Sequence, residues 1–146
     1  MNASNISWTE YFMNIAHVVK TRSKDPKMQV GAVIVCLKDN RIISTGYNSV
    51  CAGMNDSEID WSDRARIKDI VIHAEMNAIL YAQSRFEDAI LYTTLSPCVD
   101  CLKLTSATKI KKIIYDIEYR EIEKTKQLCK FFGIELIKYD QYFKPN

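Results

Sequence analysis

The chain has 146 residues, of which 47% are hydrophobic and 26% are charged, and its formal net charge is +2. This length and balance predict one globular domain over residues 1–146 and exclude a low-complexity protein. The small net charge argues against binding nucleic acid or a membrane surface through bulk electrostatics, and no apolar run reaches the roughly 18 residues of a transmembrane helix.

Helical and strand-like segments alternate along the chain. Ser7 and Glu10 form a capping box ahead of apolar residues at helical spacing, which predicts a first helix. Apolar runs bounded by turn residues predict strands, and Gly133 marks the end of the last helix. In chain order the predicted elements are helix 8–22, strands 30–37 and 41–47, a loop over 48–60, a short helix over 61–67, helix 73–83, strand 89–95, helix 98–107, strand 112–116, helix 120–132 and strand 134–139.

This order of elements predicts the architecture. An opening hairpin followed by strands that alternate with helices is typical of an α/β fold with a mixed sheet. We expect five strands, with helices on both faces, so that the domain has three layers, α/β/α. Disorder is expected only at the ends, over residues 1–7 and 141–146.

Four residues in the middle of the chain predict a catalytic zinc site. His73, Cys98 and Cys101 supply one imidazole and two thiolates, a sufficient set for a zinc ion that keeps its fourth position for water. Zinc lowers the pKa of that water to about 7, and Glu75 then provides a carboxylate that can carry its proton to a departing amine. The pattern H-x-E…P-C-x-x-C is the signature of zinc nucleobase deaminases.

The spacing of these residues limits where they can lie. Cysteines three residues apart share one face of a helix. His73 and Glu75 are two residues apart, about 200° around a regular helix, so they can address one site only at the first turn of their helix. The extended-looking segment over residues 70–72 permits this arrangement.

Two non-hydrolytic interpretations of the cysteine pair stay open. Redox proteins also place Cys-x-x-Cys at a helix start, because the helix dipole lowers the thiol pKa. A structural zinc site normally has four protein ligands, and no fourth Cys or His follows at a natural spacing. The Glu75→Gln substitution separates these interpretations from a hydrolase, because only the hydrolase needs the carboxylate.

Further motifs are spread over nearly the whole chain. They are residues 7–8, 11–13, 22–23, 29–35 (QVGAVIV), 41–48 (RIISTGYN), 73–78 (HAEMNA) and 93–101 (TTLSPCVDC). Together they resemble the deoxycytidylate (dCMP) deaminases of the cytidine deaminase-like superfamily, in particular its short bacterial and viral members. The resemblance implies the cytidine deaminase-like fold and zinc-dependent hydrolysis of dCMP to dUMP and ammonia.

The same resemblance implies roles for individual residues. It assigns one Zn²⁺ per subunit to the three ligands named above, and it makes Glu75 the residue that protonates N3 of cytosine and then the leaving ammonia. The substrate-binding positions that it implies are Ser23, Lys27, Asn48, Ala74, Tyr119 and Arg120. Asn48 is expected to bind the deoxyribose and Tyr119 to lie near the nucleotide, with the 5′-phosphate on Ser23, Lys27 and Arg120. Without the resemblance, Lys27 and Arg120 are interpreted as solvated charges.

The chain also departs from the family pattern. Ser49-Val50 stands where the family has Gly and Pro, which puts the nucleotide contacts of that loop in question. Cys51 is the only cysteine or histidine between Asn48 and His73, whereas the larger members of the family have the ligands of a second zinc in this segment. A second ion is therefore not expected, and dCTP and dTTP remain candidate effectors.

The expected partners are small molecules and further copies of the chain. The substrate is dCMP, with dCTP as the alternative, and the resemblance implies a homo-oligomer, often a hexamer. Deamination of cytidine or of tRNA adenosine is a further alternative, but Lys109, Lys111 and Lys112 make too short a basic tract to predict nucleic-acid binding. An odd number of cysteines and a start without the pattern of a signal peptide predict a cytoplasmic protein.

Overall fold

A computed structural model describes residues 4–83 and 86–142 of the chain. Within these ranges it contains six α-helices and five strands. The helices are α1 (Trp8–Lys20), α2 (Arg64–Ile70), α3 (Ala74–Leu80), α4 (Val99–Ser106), α5 (Ile122–Phe132) and α6 (Tyr139–Tyr142), and the strands are β1 (Gly31–Cys36), β2 (Ile42–Tyr47), β3 (Ala89–Leu95), β4 (Ile110–Ile117) and β5 (Glu135–Lys138).

The described strands form one mixed sheet in the order β2-β1-β3-β4-β5. Strand β1 runs antiparallel to both β2 and β3, whereas β3, β4 and β5 are parallel to one another. The parallel strands are joined through α4 and α5, the crossover connections that parallel pairing requires. The predicted five-stranded mixed sheet is therefore confirmed.

Helices cover both faces of this sheet, which confirms the three predicted layers. On one face α3, α4 and α5 pack through small and aliphatic side chains such as Ala78, Leu102 and Cys129. On the other face α1 packs through Phe12, Met13 and Ala16. Strand β1 is buried on both sides, which explains why its sequence is a continuous apolar run rather than an alternating one.

Close contact between β2 and α3 brings the start of α3 to the sheet. A Cβ atom added to Gly46 would overlap Ala74 O and Ala78 N, and it would lie 3.0 Å from Ala78 Cα. The two elements therefore approach more closely than any residue with a side chain would allow. This contact fixes the position of the first turn of α3.

Several element boundaries differ from the prediction. The short helix predicted at 61–67 begins three residues later and runs over Arg64–Ile70, because Asp63 caps it by accepting a hydrogen bond from Arg66 N. The first helix ends at Lys20 rather than at residue 22, and α3 ends at Leu80 rather than at residue 83. Helix α6 was not predicted.

The predicted disorder at the two ends is only partly covered by the structure. Residues 4–7 have no regular secondary structure, whereas residues 141–142 belong to α6, and the remaining terminal residues lie outside the described ranges. Nowhere in the described part of the chain is a helix both long and apolar enough to cross a membrane.

Candidate metal centre and adjoining cavity

The three predicted metal ligands meet where two helices begin. His73 is the residue before α3 and Cys98 the residue before α4, and both have extended backbone conformations. Cys101 lies in the first turn of α4, on the same side of the helix as the side chain of Cys98. A bridge between Ser49 and Ile72 holds the segment before α3 against the end of β2. The sheet therefore carries both helix starts to the same place.

The separations of the three ligand atoms fit a single metal ion. His73 Nδ1 lies 3.3 Å from Cys101 Sγ and 3.4 Å from Cys98 Sγ, and all three atoms lie within 4.8 Å of one another. Nitrogen and sulfur ligands of a tetrahedral zinc ion are roughly 3.5 Å apart. Two thiolates and a neutral imidazole also balance the charge of a divalent ion. The donor set and its geometry therefore fit zinc.

The two thiols differ in acidity although they are three residues apart. The hydrogen bond from Cys101, followed by the one with His73, lowers the pKa of Cys98 to about 4 against the effect of burial. The same bond to Cys98 and its own burial raise the pKa of Cys101. Cys98 is therefore the more acidic thiol of the pair.

Glu75 lies beside the metal ligands and is almost fully buried, with 4% of its surface exposed. Its Oε1 accepts a hydrogen bond from Thr93 Oγ1 over 2.9 Å, and its Oε2 lies 3.3 Å from Cys101 Sγ. Burial raises the pKa of the Glu75 carboxyl more than these contacts lower it. His73 caps the helix in which Glu75 is the second residue, so the two side chains meet in the first turn, as their spacing requires.

A cavity of about 590 Å³ is lined by two of the metal ligands, His73 and Cys98, and by Glu75. Five of the six predicted substrate-binding residues line it, and Ser23 does not. Those five are Lys27, Asn48, Ala74, Tyr119 and Arg120. Ser23 is buried behind the wall, where its hydroxyl accepts a hydrogen bond from Asp25 N over 3.3 Å.

Asn48 is held rigidly at the cavity wall. Its Oδ1 accepts from Val30 N over 2.8 Å, and its Nδ2 donates to Met28 O over 2.7 Å. An amide has two donor hydrogens and two acceptor lone pairs, so one of each is left for a ligand.

Tyr119 and Arg120 also line the cavity. Tyr119 N donates to Ser96 Oγ over 2.7 Å, and the Arg120 guanidinium carbon lies 5.8 Å from the centre of the Tyr119 ring. Ser96 is itself buried and lines the cavity, although it was not among the predicted residues.

The sequence reasoning also missed an ion pair in the cavity wall. Arg64 forms two parallel bonds with Asp25, of 2.9 and 2.8 Å, and Asp25 is 2% exposed. Burial raises the pKa of Asp25, but the bonds from Arg64 and from the backbone N–H groups of Lys27 and Met28 outweigh it and lower the pKa. The pair joins α2 to the loop that carries Lys27.

The remaining cations of the cavity have no carboxylate partner within the described ranges. They are Lys27, Lys68 and Arg120. Lys68 was not predicted, although its position four residues after Arg64 places both on one face of α2. The cavity, which Asp100 and Glu121 also line, therefore has three cations that can contact an anionic group.

Comparison with known proteins places this site in context. The sequence matches the family model described as the cytidine and deoxycytidylate deaminase zinc-binding region over residues 6–117, which include all three ligands. The deoxycytidylate deaminase of Mus musculus is 36% identical over 144 residues, which are 92% of this chain and 80% of that protein. The deoxycytidylate deaminase of Pongo abelii is 39% identical over 116 residues, and the match spans 65% of its length.

Solved structures give a similar result. The dCMP deaminase from the cyanophage S-TIM5, crystallised in complex with dCMP and dUMP, superposes with a TM-score of 0.78 at 28% identity. The superposition covers 93% of this chain and 99% of that protein. The cytidine deaminase-like fold is thus confirmed, and the metal that the three ligands are positioned to bind is zinc.

Proposed function

Because this chain belongs to the cytidine and deoxycytidylate deaminase family, we propose that it catalyses the hydrolytic deamination of dCMP to dUMP and ammonia. One observation carries the proposal. The buried carboxyl of Glu75 stands beside the zinc ligands, and a cavity lined by unpaired cations reaches Glu75, His73 and Cys98. This arrangement matches what a nucleotide with a reacting ring and an anionic tail requires.

Zinc supplies a Lewis acid that makes water nucleophilic near neutral pH. Glu75 performs the proton transfers of the reaction. It accepts one proton from the attacking water, whose oxygen bonds to C4, and delivers that proton to N3 of cytosine. It then takes the remaining proton of this oxygen and delivers it to the amino group at C4, so that the C4–N bond breaks, ammonia leaves and the C4 carbonyl of dUMP forms. Burial suits this exchange, because a raised pKa brings a carboxyl closer to the pH at which it both accepts and releases protons.

The walls of the cavity hold the rest of the nucleotide. Asn48 uses its free donor and acceptor for the deoxyribose, and Ala74 lies against the base. Arg120 and Lys27 bind the 5′-phosphate, with Lys68 as a third cation and Tyr119 beside the nucleotide. Ser23 acts from behind the wall by fixing Asp25. Support for these roles comes from the position of each residue at or behind the cavity.

The test is a substrate panel. Purified, zinc-loaded protein is incubated with dCMP, dCTP, deoxycytidine and cytidine, and the release of ammonia is followed. We expect turnover of dCMP and much slower turnover of the unphosphorylated nucleosides. Preference for a nucleoside would contradict the phosphate assignment, and preference for dCTP would show that the pocket extends past one phosphate.

Glu75→Gln is the matched control for this panel. The amide keeps the size of the side chain but cannot accept the proton, so the variant should bind one zinc per chain and lose turnover. A wild-type rate in this variant would show that Glu75 is not the proton carrier.

Several wider features of the chain remain predictions. Residues 1–146 are assigned to one deaminase domain, the location is cytoplasmic, and dCTP and dTTP are candidate effectors. A homo-oligomer, with a hexamer as the expected form, is supported by the exposed side chains of Leu80 and Tyr81 at the end of α3, which are 65% and 63% exposed. Gel filtration with light scattering, in the presence and absence of dCTP or dTTP, tests the oligomer and the effectors together.

A further inference from the structure

Thr93 occupies the centre of the sheet. It lies on β3, between the antiparallel strand β1 and the parallel strand β4, and its backbone pairs in register with Ala32 and Tyr115. Its side chain is fully buried. Leu91, two residues earlier and therefore on the same face of the strand, belongs to the core that packs against α3. Thr93 thus projects from a constrained part of the fold toward the helix of Glu75.

The Glu75 carboxyl has one side-chain partner on each oxygen. Thr93 Oγ1 donates to Oε1 over 2.9 Å, and Cys101 Sγ lies 3.3 Å from Oε2. Within the described residues these are the only side chains that hydrogen-bond to this carboxyl. Because Glu75 is only 4% exposed and Thr93 is 0% exposed, their contact at Oε1 is shielded from bulk water.

The two side-chain partners differ in strength. A hydroxyl is a good hydrogen-bond donor, whereas a thiol is a weak one. The contact of Thr93 Oγ1 with Oε1, at 2.9 Å, is also shorter than the contact of Cys101 Sγ with Oε2, at 3.3 Å. Among side chains, the threonine hydroxyl therefore does most to set the direction of the Glu75 carboxyl.

We propose that Thr93 is a positioning residue that holds the Glu75 carboxyl at the metal centre during the reaction, an inference that rests on the proposed function. The hydroxyl suits both stages of a proton transfer, because it is a donor and an acceptor. Thr93 Oγ1 also lies 2.9 Å from Leu95 O. It donates to Glu75 as carboxylate, and it accepts from the protonated carboxyl while donating to Leu95 O.

The Thr93→Val substitution removes the hydroxyl and keeps the branched shape. For zinc-loaded protein we expect kcat for dCMP to fall by about 10- to 100-fold, the range that the loss of a hydrogen bond to a charged group gives. KM for dCMP and the zinc content should stay at the wild-type values. Thr93→Ser restores the hydroxyl and should recover kcat to within about 3-fold.

A crystal structure provides a second test that does not depend on turnover. In a crystal structure of zinc-loaded Thr93→Val, the Glu75 carboxyl should be displaced or occupy more than one orientation. Thr94→Val is the matched control, because Thr94 is the next residue, is equally buried and uses its hydroxyl to accept from Gly31 N rather than to contact Glu75. This control should lose thermal stability and keep the wild-type kcat.

Two results would overturn the proposal: a wild-type kcat in Thr93→Val, or a Glu75 carboxyl that superposes on the wild-type position. If Thr93→Val does not fold, Thr93→Ala is compared with Thr93→Ser instead, by kcat and by crystal structure. If the wild-type protein does not deaminate dCMP, the proposed function fails. The crystal structure of Thr93→Val then still shows whether Thr93 holds the Glu75 carboxyl in place.

Discussion

Replacing Gly46 by Ala is expected to slow deamination strongly, because it changes the position of α3. Gly46 lies on β2 and has no functional group, so the substitution removes no ligand or proton carrier. The added methyl group would overlap Ala74 O and Ala78 N, which are backbone atoms and cannot rotate away. The helix and the strand must therefore separate, and the first turn of α3 carries His73 and Glu75 with it.

The size of the movement follows from the same contact. The added Cβ would lie 3.0 Å from Ala78 Cα, whereas carbon atoms in contact are about 3.5–4.0 Å apart. A separation of about 1 Å is needed to relieve the overlaps. Overpacking of this kind costs about 1–3 kcal/mol of stability, and a displacement of about 1 Å at a catalytic site can cost about 100-fold in rate. The protein should fold and turn over dCMP about 100-fold more slowly.

The assay compares Gly46→Ala with Gly133→Ala. Gly133 ends α5 with a φ of 70°, and a Cβ added there meets nothing within 4 Å. Its replacement costs about 1–2 kcal/mol because L residues disfavour this conformation, but it moves no element of the site. Thermal unfolding of both variants measures the stability loss, and kcat at a temperature well below both midpoints measures the effect on the site.

We expect similar losses of stability and different losses of activity. Gly133→Ala should retain the wild-type kcat, and Gly46→Ala should not. If both variants keep wild-type activity, the contact between β2 and α3 does not position Glu75. If both lose activity in proportion to their stability, the effect is global and the reasoning from the local contact is wrong.

Three further substitutions test other parts of the site. Cys98→Ser should reduce bound zinc well below one ion per chain. Its control, Cys51→Ser, changes an exposed cysteine and should keep the zinc content. Metal analysis after gel filtration measures both, and equal zinc contents would show that Cys98 is not a ligand. Arg120→Ala should raise KM for dCMP about 10-fold and leave KM for deoxycytidine unchanged; an equal rise for both would refute the phosphate contact. Asp25→Asn should lower the free energy of unfolding by about 2 kcal/mol at pH 7. Because the folded pKa of Asp25 lies below its unfolded value of ~3.9, the stability difference between the two proteins should be complete above that pH and should disappear as the pH falls through the folded pKa. Urea midpoints of both proteins are measured at pH 7 and at pH 3. If the variant and the wild type differ by the same amount at both pH values, the prediction is wrong.

The zinc ligands, together with the proposed proton carrier beside them, were the easiest part of the protein to predict. The ligand set is short in sequence and specific in chemistry, and the two-residue spacing of His73 and Glu75 already required a helix start at that point. Strand β3 was predicted with its observed bounds because a short apolar run between polar turns is typical of a buried strand. These features are local, and local features can be read from a sequence.

The parts that were missed depend on contacts between distant segments. Arg64 and Asp25 are 39 residues apart, and nothing in either segment indicates that they pair. Thr93 belongs to a strand that is buried on both faces, so the sequence does not reveal which of its residues face α3. Helix α2 begins later than predicted because a cap at Asp63 decided its start, rather than the apolar residue at position 61.

The position of the site at two helix starts explains why its sequence signal is so compact. The residue that caps a helix has an extended backbone, so its side chain leaves the axis of the helix and can point back over the first turn. His73 reaches the site in this way together with Glu75, and Cys98 does so together with Cys101. In each pair, one residue comes from the cap and the other from the first turn. Two such pairs supply the three ligands and the proposed proton carrier, and the close contact at Gly46 and the bond from the buried hydroxyl of Thr93 to Glu75 hold the start of α3 against the sheet.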